Sequence, residues 1–174
     1  MSIRTVPAPA RLVISSIFKD ERILDAVLPL VSESVGELCP AGPLLAFDRT
    51  DYYHAEMGKP LFRRFFTAQA PVSRDALPKI KIRMEDIERE FSREGRRSVN
   101  LDPGLLSLEN FILATGKNFS HRVYLGEGVF ADLTLIFQKG EYRPLPWTYP
   151  DYASPEIRHI LKELRGDLPT LRTQ

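Results

Sequence analysis

The sequence predicts an α+β fold: a ferredoxin-like βαββαβ unit with a widened, mainly antiparallel sheet, an added β-meander and a C-terminal helix. Three observations carry this expectation. Apolar β-branched runs and segments of helical spacing follow one another as β-α-β-β-α-β over the first hundred residues. Closely spaced strand patterns with glycine turns come after them, and a capped amphipathic segment closes the chain. The 174 residues fit one domain, 1–174, with about 1–10 and 167–174 expected to be flexible.

Residues 11–18 (RLVISSIF) predict the first strand, and Asp20 can cap the helix that follows. Ile23, Leu24, Val27, Leu28, Val31 and Val35 recur at helical spacing up to Gly36. Pro29 is expected to kink or split that helix, because it lacks an N–H and its ring crowds the preceding turn. Strands are expected at 43–50 and 61–70. From Leu77 a helix carries Ile80, Met84, Ile87 and Phe91 on one face, with Gly95 as its stop. A strand over 97–101 is expected to break at Asp-Pro-Gly. Ser107 is then expected to cap a helix carrying Leu108, Phe111, Ile112 and Ala114 and closing at Gly116.

Three strands joined by turns at Gly-Glu-Gly and Lys-Gly make the meander. Within it Val129, Ala131, Leu133, Leu135 and Phe137 form one apolar side, and Asp132 and Thr134 face the other way. Ser154, Pro155 and Glu156 open the last helix, whose buried stripe is Ile157, Ile160, Leu161 and Leu164.

Twenty-four Lys and Arg against 23 Asp and Glu leave a net charge of +1, so no global field draws in nucleic acid or an anionic membrane. The single Cys39 excludes an internal disulfide and a multi-cysteine zinc site. The N-terminal apolar run is too short for a signal sequence or a membrane span, so a cytoplasmic protein is expected.

Polar chemistry is concentrated in four stretches at the ends of expected elements. In the first, DRTDYYHAEMGKP, Asp51 and Glu56 can act as general base or cation ligand. Tyr52 and Tyr53 can stack on a planar or sugar ring, and Lys59 can neutralise an anion; a turn with two half-buried tyrosines explains the same residues. In NLDPG, Asn100 and Asp102 lie two apart on an extended segment and so point the same way, although Asp-Pro-Gly also reads as an ordinary turn. GKNFSHR offers Lys117, His121 and Arg122 for a phosphate or carboxylate, with helix C-capping as the other reading of Lys117. PWTYPDY holds Trp147 and Tyr149 in a proline-stiffened loop suited to a cleft wall, a protein-binding anchor or a clasp over the sheet edge. Arg63 and Arg64 sit in a phenylalanine-rich strand, where a buried guanidinium needs an anion; Asp48 and Asp132 are the internal candidates.

No P-loop, HExxH, GxSxG or glycine-rich dinucleotide fingerprint occurs. His54, His121 and His159 have no ligand spacing among themselves. A divalent cation held by His54 or His121 with carboxylates is the one cofactor option the sequence leaves.

Taken in order, TDYYHAEMGKPL, NLDPGLL, ATGKNFSHRVYLGEGVFADLTLIFQKG and PLPWTYPDYASPE resemble the prokaryotic family called domain of unknown function 4416, over roughly Arg11 to Leu164. The resemblance implies a soluble, single-domain protein and carries over no activity, substrate or catalytic residue. The chain departs from the family pattern at Leu105, where tyrosine follows the Asp-Pro-Gly.

The expected function is binding of a small anionic ligand, of nucleotide or sugar phosphate type, with enzymatic activity left open. Tyr52, Tyr53, Trp147 and Tyr149 would wall the cleft; Asp51, Glu56, Asn100 and Asp102 would supply acid-base or cation-binding groups; Lys59, Lys117, His121 and Arg122 would hold the anion. The alternatives are a single-stranded RNA-binding module, against which the near-neutral charge argues, and a protein-interaction module using the aromatic loops. The oligomeric state stays open.

Overall fold

A strand that is apolar without alternation belongs in the middle of a sheet covered on both faces, and RLVISSIF takes that place. In a computed structural model, which describes residues 3–166 and 168, this run is β1 (Arg11–Phe18), buried from Leu12 to Phe18. The expectations for residues 1–2, 167 and 169–174 lie outside the described residues. The chain continues through α1 (Glu21–Val35), β2 (Leu38–Ala46), α2 (His54–Met57), β3 (Phe62–Ala68), α3 (Leu77–Glu90), β4 (Val99–Leu106) and β5 (Asn110–Thr115). It ends with β6 (Arg122–Gly126), β7 (Val129–Gln138), β8 (Glu141–Pro144) and α4 (Pro155–Gly166).

The protein is α+β, with one eight-stranded sheet in the order β2-β3-β1-β4-β5-β7-β6 and β8 also paired to β7; every pairing is antiparallel. Leu12, Ile14 and Phe18 share a core with Leu24, Val27 and Val31 of α1 and Ile80, Met84 and Ile87 of α3. On the opposite face Val13, Phe65, Leu106 and Phe111 pack with Ile157, Ile160 and Leu161 of α4. No helix of the described residues is long and apolar enough to cross a membrane.

Several expectations need correction. α1 runs through Pro29 without a break, because Pro29 and Asp25, whose carbonyl loses its partner, both lie on the exposed side where water can serve. β2 begins earlier than expected and stops at Ala46, leaving Asp48 to Thr50 outside the strand. α3 ends at Glu90, short of Gly95, which instead takes φ +74° within the turn at 93–96.

The segment expected as a helix between Ser107 and Gly116 is the strand β5. Phe111 and Leu113 face α4 while Ile112 and Ala114 face α1 and α3, so two-fold alternation fits the same short apolar run that helical spacing fitted. Ser107 closes a tight hairpin: its Oγ accepts from the N–H groups of Glu109 and Asn110, each at 3.2 Å. Nor does the strand at 97–101 break at Asp-Pro-Gly; β4 continues through it to Leu106. In β7 the register jumps from Phe111↔Leu135 to Ile112↔Leu133, leaving Thr134 as a bulge. The bulge reverses the faces, so Val129 joins the core under α1 and α3, Leu135 joins the one under α4, and Asp132 and Thr134 are buried rather than outward.

Candidate functional site

β4 and β5 form a hairpin that pairs only from Gly104 to Leu106 against Phe111 to Leu113, and then splays. The physical reason lies in Pro103. The Leu101 N–H points away from β1, to the Glu88 carboxylate, and strand parity directs the nitrogen of Pro103 to that same side, where it has no hydrogen to give. The ladder toward β5 ends there. Between the splayed strands lies a cavity of about 620 Å³ whose walls come from both faces of the sheet.

The wall on the α3 side is a charged network. Glu88 Oε1 accepts the Leu101 N–H at 2.5 Å, taking the place of a missing strand carbonyl. Arg97 forms a two-pronged pair with Glu56 (2.7 and 2.8 Å) and donates to Asn100 Oδ1 at 2.7 Å. Asn100 Nδ2 donates to Asp102 at 2.7 Å, and Lys81 Nζ reaches Asp102 at 3.4 Å and Glu85 at 3.6 Å. Burial raises the Glu88 carboxyl above its ordinary value, with Lys81 and Arg97 pulling the other way. Burial works to lower the Lys81 ammonium, but Asp102, Glu88 and Glu85 outweigh it and the net shift is upward. Hydrogen bonds from Arg97 hold Glu56 low.

On the opposite side β3 supplies Arg63, whose side chain is 4% exposed. Its guanidinium lies between the rings of Phe47 and Tyr152, at 4.8 and 4.9 Å, and Nη2 meets Asp151 at 2.7 Å. Asp151, rather than Asp48 or Asp132, is therefore its anion. Desolvation raises the Tyr53 hydroxyl, with the nearby Asp102 adding to it.

The mouth is framed by Tyr52, Lys117 and Tyr149. The Lys117 ammonium sits over the Tyr52 ring, 4.6 Å from its centre, and touches the Tyr52 hydroxyl. No helix precedes Lys117, so the C-capping reading falls away. Behind the mouth Arg122 organises the loops: Nε donates to Asp132 (2.8 Å), Nη1 to the Lys117 carbonyl (3.0 Å) and Nη2 to Tyr149 Oη (2.8 Å). His121 Nε2 lies 3.2 Å from Asp132, and its ring stacks on Trp147, whose Nε1 donates to the Leu133 carbonyl.

Six of the twelve candidate site residues read from the sequence thus share one cavity, Tyr52, Tyr53, Asn100, Asp102, Lys117 and Tyr149, and Arg63 and Asp132 line it as well. His121, Arg122 and Trp147 stand behind its wall as supports. Asp51 and Lys59 point outward as an exposed pair with His54, Asp51 being 85% exposed. Glu56 lies beyond Arg97, beside an open surface depression near Lys19 and Arg93.

Sequence reasoning missed Lys81, Glu85 and Glu88. Each follows by one position a buried residue of α3 (Ile80, Met84, Ile87), and this charged row beside the apolar stripe was the available signal. Among the described residues no group of three His, Cys, Asp or Glu is placed to hold a metal ion. The cavity carboxylates are committed to cations, Asp102 to Lys81, Asp132 to Arg122 and Asp151 to Arg63.

A family model described as Domain of unknown function (DUF4416) matches residues 8–167. No curated protein and no solved structure matches the chain.

Proposed function

The chain belongs to the domain of unknown function 4416 family, whose description states no activity, and from the cavity itself we propose that the protein binds a small organic anion between β4 and β5. One observation carries the reading: four polar stretches far apart in sequence, around Tyr52, Asn100, Lys117 and Tyr149, converge on one cavity. Lys117, held by a tyrosine rather than by a carboxylate, is the cation for an anionic group at the mouth, as in a nucleotide or a sugar phosphate. Tyr52, Tyr53 and Tyr149 suit a planar body, and the Lys81–Asp102 pair sets a cation and an anion beside it.

The order β2-β3-β1-β4 with α1 and α3 supports a ferredoxin-like reading of the first hundred residues. In an RNA-binding module of that kind the sheet stacks bases. Here Val13 and Phe65 on that sheet lie under α4, which favours a small ligand over an RNA strand. Free Cys39 fits a reducing, cytoplasmic setting.

The test is a thermal-shift screen with nucleotides, sugar phosphates, organic acids, divalent metals and short RNAs. A ligand at about a hundred times its dissociation constant adds roughly 2.7 kcal/mol, a rise of several degrees. The expected result is a rise with an organic anion that Lys117→Ala reduces. A rise seen only with RNA, or one indifferent to substitutions at Lys117 and Tyr149, refutes the reading.

A further inference from the structure

Acceptors line the cavity where β4 and β5 part. In their hairpin the Asn110 carbonyl accepts the Ser107 N–H at 2.9 Å, and strand parity turns the Ala114 carbonyl toward β4 as well. Register sets Ala114 opposite Pro103, whose nitrogen has no hydrogen to give, so this carbonyl at the cavity wall lacks its strand partner. Asp102, the residue before Pro103, keeps 26% of its side chain exposed although β4 is an interior strand. Glu85 of α3 is 40% exposed, and its Oε1 lies 3.8 Å from where a Cβ on Gly116 would stand, so it reaches toward the end of β5.

The cation between the two carboxylates, Lys81, stays 3.4 Å from Asp102 and 3.6 Å from Glu85, long for charge-assisted bonds. Both carboxylates therefore keep lone pairs for a donor arriving from the cavity. The mouth has the opposite character. Lys117 leans on Tyr52 rather than on a carboxylate, and Arg49 meets Glu156 at 3.7 Å with both side chains half or more exposed.

A ligand matched to both regions carries its negative charge outward and its N–H groups inward. An amino acid meets that pattern but would leave most of a cavity of about 620 Å³ empty, and an amino sugar phosphate is not flat enough for the tyrosine walls. A nucleotide has the size, the flat body and the phosphate. Among the common bases guanine sets two adjacent N–H donors on one edge, which a carboxylate accepts in a two-pronged bond. Adenine and cytosine place a ring acceptor beside the amino group, where it would meet the Asp102 carboxylate.

We infer that the molecule recognised is a guanine nucleotide, its phosphate between Lys117 and Arg49 and its N–H edge on Asp102, with the Ala114 carbonyl and Glu85 beside it. This rests on the small-anion reading above and names the class. Pro103 thereby serves binding as well as shape, since it holds the seam open and frees an acceptor for the base.

The experiment is calorimetric titration of the whole chain with GMP, IMP, AMP and ribose 5-phosphate, in wild type, Asp102→Asn and Lys117→Ala, with urea unfolding of each alongside. IMP is GMP without the 2-amino group. Expected is GMP binding at least about tenfold tighter than IMP or AMP. Asp102→Asn should erase the advantage of GMP over IMP, whereas Lys117→Ala should weaken both by a similar factor and leave their ratio. A merely structural Asp102 would instead lower stability and weaken every nucleotide alike, which overturns the assignment. The wild-type ratio of GMP to IMP decides even where Asp102→Asn does not fold. IMP, AMP or ribose 5-phosphate binding as tightly as GMP, or no binding of these probes while another organic anion raises the melting temperature, overturns the guanine assignment and leaves the small-anion reading intact. No response to any organic anion in either experiment overturns both.

Discussion

β4 has two neighbours and treats them differently. Toward β1 it is paired over eight residues, Val99 to Leu106; toward β5 it is paired over three. The long seam lies over buried apolar side chains, with Val99, Leu101 and Leu105 packed against the helices. Along the short seam, side chains take over what backbone pairing leaves undone: Glu88 serves the Leu101 N–H, and Arg97, Asn100, Asp102 and Lys81 form a chain of polar contacts. One strand therefore builds both the most regular part of the molecule and its most polar opening. The departure from regularity marks the site.

The largest effect should come from the regular side. Leu101→Ala deletes a fully buried side chain and is expected to cost about 2–5 kcal/mol in urea unfolding. A loss below about 1 kcal/mol would mean that the long seam is not the stabilising one. Next comes the substitute for pairing. Glu88→Ala strands the Leu101 N–H and removes one Arg97 partner, an expected loss of about 1–3 kcal/mol, whereas Glu88→Gln keeps an acceptor and should recover part of it.

The smallest and sharpest effect is a pair of opposite pH slopes. Glu56 is held below its ordinary value of 4.5 by Arg97, so the stability it contributes is present above pH 4.5 and is lost as pH falls through its folded value. Glu88 is raised above 4.5 by burial, so the folded state holds its proton more tightly and stability declines as pH rises from 4.5 through its folded value. Urea midpoints between about pH 3 and 7 should lose the acid-side fall in Glu56→Gln and the upper decline in Glu88→Gln. Slopes of the same sign from both variants would show that the two carboxylates do not differ as their surroundings require.

What was legible in the sequence divides along the same line. α1, α3 and α4 each repeat one period long enough to be read, β1 is an unbroken apolar run, and glycine turns mark the strands of the meander. β5 was misread because six residues satisfy both periods, and only its register against β4 and β7 decides. Asp-Pro-Gly carries turn chemistry, yet its proline acts by withholding a hydrogen bond within a continuous strand. Polar loops announced half of the candidate cavity. The Arg63–Asp151 pair joins β3 to the loop before α4, and the bulge at Thr134 turns Asp132 inward; both depend on how distant strands align.

The bond between Glu88 and the Leu101 amide has a consequence for motion. That amide is tied to a carboxylate on a helix, not to a carbonyl in a neighbouring strand. Its exchange with deuterium reports the swinging of one side chain, while the amides of β1 report the unzipping of a whole ladder. A bound molecule that stills α3 against β4 would slow exchange at Leu101 and leave β1 as it was. The chain thus carries, in a single N–H, its own indicator of occupancy.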